Sequence, residues 1–161
     1  MSELLLKQYD LVRKTREALF TFFESLPGDK LHVEMPGFGY PTIADTHLHV
    51  AGCYIHWLVK FAGIRPNAEF PSDEEINAAD VAALRGWFNK SDAVVEEFLN
   101  ANNGRLLEPI YNDTQGPVGF TPLWLMTHTM THEFHHKGQI VTMARQLGYV
   151  PPDTDLIFPE R

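Results

Sequence analysis

Four stretches of this chain repeat apolar residues at helical spacing, and Pro/Gly pairs separate them. That pattern leaves few folds open. In the first stretch, from about Glu3 to Ser25, the residues Leu5, Tyr9, Val12, Leu19, Phe23 and Leu26 recur at steps of three, four or seven, and Pro27-Gly28 ends the run. The second, from about Thr42 to Ala62, places Ile43, His49, Cys53, His56 and Trp57 close to one line before Gly63 and Pro66. The third, over about Val81 to Asn100, follows Asp80 as N-cap and carries Val81, Leu84, Phe88, Val95 and Phe98. The fourth starts at Thr121-Pro122, as N-cap and N1, and continues to about Leu147, with Gly148 as the residue after the cap.

The intervening segments read as loops, including the polar stretch from Asn67 to Glu75, and the tail with Pro151, Pro152 and Pro159 reads as non-helical. No strand pattern or internal repeat is evident. The expectation is an all-α four-helix bundle, with residues 1–161 forming one domain.

Bulk properties narrow the function. Thirteen basic against 21 acidic residues give a net charge of −8, and no Lys/Arg cluster offsets it, so nucleic acid is not an expected partner. A single cysteine excludes an intrachain disulfide framework. No apolar run approaches the ~20 residues that span a bilayer. The first ten residues lack the basic flank and apolar core of a signal peptide. A cytoplasmic protein without a membrane partner is expected.

The chemistry concentrates in histidine. His128, His132, His135 and His136 lie within nine residues of the fourth helix. Positions four apart drift only about 40° around a helix, so His128, His132 and His136 share a stripe and His135 points elsewhere. Two imidazoles at i and i+4 make half a metal site, and the remaining donor must come from a facing helix. The second helix offers His47, His49 and His56. His49, among Ile43, Val50 and Cys53, is the best third ligand on periodicity, with His56 as the alternative.

Two motifs then bring a family into view. His132-Glu133-Phe134-His135-His136-Lys137-Gly138-Gln139-Ile140, with Ala144 to Gly148 after it, resembles the last helix of the DinB/YfiT-like metalloproteins. Lys137 stands where that family usually has Arg. Thr42-Ile43, His49 and Trp57 are similar to its second helix. The resemblance implies a four-helix bundle of variant up-and-down topology, with His49, His132 and His136 as ligands to one divalent ion such as Ni or Zn. It also implies a homodimer and a metal-dependent transfer of a low-molecular-weight thiol of the bacillithiol type. A hydrolase using metal-bound hydroxide is the alternative enzyme, and a non-catalytic metal-binding stress-response protein the alternative outside catalysis.

His132-Glu133-Phe134-His135-His136 also satisfies the H-E-x-x-H pattern of zinc proteases. The required third ligand is missing, because position 142 is Thr142 and the only downstream Glu is Glu160 in the tail. Glu133 is therefore expected to be a bystander or a support rather than a general base. Of the remaining residues, Gln139 is a candidate to hold a ligand's second ring nitrogen. Cys53 reads as a small buried hydrophobe or a fourth ligand, and His128 as pocket lining. Asp45 is either a solvated first-turn acid or an orienting group for His49. Trp57 and Trp124 are assigned to the core.

Overall fold

The protein is described from a computed structural model covering residues 2–112, 116 and 118–156. Among the described residues, five α-helices run in the order α1 (Ser2–Glu24), α2 (Ile43–Ile55), α3 (Asp73–Ala78), α4 (Val81–Ala101) and α5 (Pro122–Gln146). The four long ones form the bundle: α2 packs against α4 and α5, and α1 closes the ring against the same two helices. Among the described residues the only β-type pairing is an isolated bridge between Ile110 and Phe120.

The predicted termini are set by local chemistry. Thr42 Oγ1 accepts from Asp45 N at 3.0 Å, Asp80 Oδ1 from Ala83 N at 2.8 Å, and Thr121 Oγ1 from Trp124 N at 3.1 Å, so each side chain satisfies one free amide of its helix. At the far end of α5, Gly148 takes φ +87°. Tyr149 N then donates to Ala144 O, and Gly148 N to Arg145 O, each at 3.0 Å, the paired hydrogen bonds of a Schellman stop.

Two local features depart from the sequence reading. The second helix does not run uniformly: past Ile55 it widens into a π-helical stretch over His56–Phe61 before stopping near Gly63. At the end of the predicted polar connection α3 begins, and it runs past that stretch to Ala78; it is opened by a reciprocal capping box in which Ser72 Oγ accepts from Glu75 N at 3.2 Å while Ser72 N donates to Glu75 Oε2 at 2.9 Å. This helix has no buried residue, which explains why it lacks an apolar stripe. Pro159 and Glu160 lie outside the described residues.

The core fills the bundle interior with the predicted positions, among them Leu5, Tyr9, Val12, Leu19 and Phe23 of α1, and Leu84, Phe88, Val95 and Phe98 of α4. A second, polar core sits inside it. Arg16 of α1 is 3% exposed and forms a fork onto Glu133 of α5, Nε to Oε1 at 2.9 Å and Nη2 to Oε2 at 2.8 Å. Lys137 Nζ reaches Glu133 Oε1 at 2.9 Å, and Tyr54 Oη donates to Glu133 Oε2 at 2.7 Å. Arg16 Nη1 and Tyr9 Oη both donate to Asp92, at 2.7 and 2.6 Å. Two buried cations thus face two carboxylates, with every oxygen of Glu133 engaged.

Candidate metal centre

One turn of helix brings the α5 histidines onto a common face, and α2 supplies the third ring. His132 Nε2 lies 3.0 Å from His49 Nε2. The His136 ring centroid is 4.4 Å from that of His132 and 4.9 Å from that of His49. One ligand atom from each of the three rings falls within 4.8 Å of the others, close enough to share an ion. A tetrahedral zinc site with bonds of about 2.0–2.1 Å needs nitrogen pairs about 3.3 Å apart, and the His49–His132 pair at 3.0 Å stands near that spacing. His136 is buried, while His49 and His132 are half-buried.

The protonation states suit a cation. Burial pushes His49 down to about 4 and His132 down to about 3, with neighbouring imidazoles adding to the effect, and it lowers His136 as well. All three are neutral at pH 7, the form that presents a lone pair. Two ring nitrogens 3.0 Å apart cannot both aim lone pairs at each other without a proton or a metal between them.

The groups around the rings hold them in place. Gln139 Oε1 sits 2.7 Å from His136 Nδ1, and Gln139 Nε2 sits 3.2 Å from His135 Nε2. With that amide orientation His136 Nδ1–H is the donor and Nε2 is left free for the site. Tyr40, from the loop before α2, stacks on His49 with centroids 3.8 Å apart. Its backbone carbonyl accepts from Thr46 Oγ1 at 3.1 Å, which ties the loop to the first turn of α2.

An apolar cavity of about 330 Å³ opens beside the rings, its walls including Tyr40, Leu48, His49, Trp57, Phe70 and His132. Gly52 lies in the wall, where an added Cβ would sit 3.7 Å from Phe70 Cδ1. Asp45 also lines it, half-buried, with its carboxyl raised by burial and by the nearby Asp73 charge. A larger hollow of about 1080 Å³ lies between α1 and α4. It is bordered by charged side chains already paired, such as Arg85 with Glu17 and Glu24 and Arg13 with Asp92, and it holds none of the histidines.

This fold, with a histidine trio that could hold a metal, meets an independent finding: the DinB family model matches residues 1–161. The chain belongs to the DinB family. It is also similar to Protein DinB of Bacillus subtilis (strain 168), at 25% identity over 161 residues, covering 96% of this chain and 92% of that protein.

In this DinB-family chain the other expected site residues take varied places. His56 lines the cavity, but it is not one of the three rings that converge. His47 faces the opposite way, 1% exposed among Phe20, Phe23 and Phe88, and neither of its nitrogens has a hydrogen-bond partner among the described residues. An apolar setting without a hydrogen-bond partner, the costly case that argued for His49 as a ligand, is met instead by His47, whose pKa burial lowers to about 3. Asp45 accompanies the cavity and makes no hydrogen bond to His49. Cys53 is buried, and its thiol is pushed up to about 12.

Trp57 packs against the core, as expected, whereas Trp124 does not. Trp57 is half-buried and Trp124 is 42% exposed, and together they frame His128, with Trp124 stacked on its ring at 5.0 Å and Trp57 edge-on at 5.1 Å. Glu133 is fully buried and turned away from the trio into the Arg16 fork, held down to about 2 by its two cations against the opposing effect of burial. It has no free lone pair with which to act as a protease base. No sequence signal marked Tyr40, because its position depends on a loop. Among the described residues no helix is long and apolar enough to cross a membrane.

Proposed function

We propose that His49, His132 and His136 bind one divalent metal ion and that the protein transfers a low-molecular-weight thiol to an apolar electrophile. The observation that carries this reading is the convergence of three neutral imidazoles from two helices at the edge of an apolar cavity. A divalent ion there would lower the pKa of a thiol or water bound to it and would polarise a substrate oxygen. Three protein ligands leave room for one such donor.

The chain's own residues favour an external thiol. Cys53 is held protonated by burial and is a poor nucleophile. Glu133 is committed to Arg16 and Lys137. Tyr40, Trp57 and Phe70 offer apolar and aromatic walls to the electrophile, and Gly52 leaves them space. The family resemblance extends the proposal to a homodimer, which sedimentation would read directly.

Asp45 favours a second reading. It is a carboxylate in the cavity wall whose raised pKa suits proton transfer, as a metal-dependent hydrolase would require. Metal analysis of protein purified without chelator is the first test. The parent should carry near-stoichiometric divalent metal, and His49→Ala and His136→Ala should lose most of it; equal metal in all three would remove the site. Thiol-dependent conjugation of monochlorobimane, lost in His136→Ala and retained in Asp45→Asn, would support the transferase. Aryl-ester turnover lost in both variants would support the hydrolase instead. Tight metal binding with neither activity would mark a binding protein.

A further inference from the structure

His128 and Cys53 stand next to the histidine trio without belonging to it. One ligand atom each from Cys53, His128 and His132 falls within 4.8 Å of the others, a second set of donors that shares only His132 with the first. The three come from facing helices, Cys53 one turn beyond His49 on α2, and His128 one turn before His132 on α5. Neither the Cys53 thiol nor the His128 ring forms a hydrogen bond to another described residue, so no protein partner must be broken to free the donors.

His128 is also held in position. Its ring lies flat on Trp124, at an interplanar angle of 3°, meets Trp57 edge-on, and stacks loosely on His132 with centroids 5.7 Å apart. That aromatic frame fixes a half-buried imidazole beside the thiol at little further cost in side-chain entropy.

The chemistry of the two sets differs. Three imidazoles accept most first-row divalent ions. Replacing two of them with a thiolate and another imidazole favours thiophilic ions, and the bound thiol gives up its proton to solvent as the metal–sulfur bond forms. We propose that Cys53, His128 and His132 form a second metal-binding set selective for soft ions such as Cd²⁺, in competition with the trio for His132. The proposal depends on the trio reading only through that shared ring.

Because Cys53 is the only cysteine in the chain, any protein thiolate-to-metal charge-transfer absorption reports this residue alone. Chelator-stripped full-length protein would be titrated with Cd²⁺, with folding of every variant checked by circular dichroism. The parent should develop the ultraviolet thiolate–Cd²⁺ band with saturation near one ion per thiol. His136→Ala should keep that band while losing its Ni²⁺ or Zn²⁺, which separates the two sets. His128→Ala should bind Cd²⁺ at least about tenfold more weakly by the same band, and Cys53→Ala should abolish it. No band in the parent or in His136→Ala at saturating Cd²⁺, or an unchanged affinity in His128→Ala, would overturn the proposal. Retained Ni²⁺ or Zn²⁺ in His136→Ala would instead count against the trio and leave the Cd²⁺ result to be judged by itself.

Discussion

Helix α5 carries two pairs at the same i, i+4 spacing, shifted by one residue, and they have opposite fates. His132 and His136 look across to α2, both neutral, with His132 half-buried at the cavity wall and His136 buried behind it. Glu133 and Lys137 look toward α1, charged, buried and saturated with hydrogen bonds. One step along a helix rotates a side chain by about 100°, enough to move it from a ligand surface into the core. The comparison teaches that a motif such as H-E-x-x-H names no chemistry until the direction of each residue is known. Here the histidines and the glutamate of that motif serve different faces.

The first way to break the comparison is to damage the charged face. Glu133→Ala would leave Arg16 and Lys137 buried without their carboxylate, which should cost about 3–5 kcal/mol and lower Tm by about 10 °C or more in urea and thermal melts. A small loss would mean that the ionic cluster is better solvated than its burial indicates.

Damage to the imidazole face should read in the opposite column. His132→Ala should weaken divalent metal binding more than about 100-fold by competition with a chromophoric chelator. The metal-free variant should melt within about 1 kcal/mol of the metal-free parent, because the ring is half-exposed and makes no ion pair.

His47 sharpens the comparison, being an imidazole that is neutral without facing a ligand. The unfolded chain takes up a proton at this ring near pH 6.5, whereas the folded chain resists until about 3. Its contribution is therefore level above pH 6.5, shrinks as pH falls from there to about 3, and is level again below. In metal-free protein, replacing it by His47→Leu should reduce the stability lost between pH 7 and 4.5 by about 2–3 kcal/mol. Equal acid sensitivity in the two proteins would mean that the ring finds a partner in solution.

The smallest effect concerns the support of the site. Gln139→Ala removes the acceptor at His136 Nδ1 and should weaken metal binding about 10- to 100-fold, with Gln139→Glu restoring it. An unchanged affinity would make Gln139 a packing residue.

Much of this protein was legible before its structure. The helical apolar periods, the capping residues Thr42, Asp80 and Thr121, and Gly148 fix the four long helices, because caps and stripes act over one or two turns. The stripe of His132 and His136 and the nearness of Gln139 follow from the same local geometry. What required the tertiary structure was everything set by which helix faces which. It decided that His49 meets the α5 pair while His47 enters a cage of phenylalanines. It placed Tyr40 on His49 from a loop with no period, and it drew Glu133 to an arginine 117 residues away in the chain. Sequence patterns encode angles around one helix axis. The meeting of two axes depends on how whole side-chain surfaces pack, and no short window of residues contains that information.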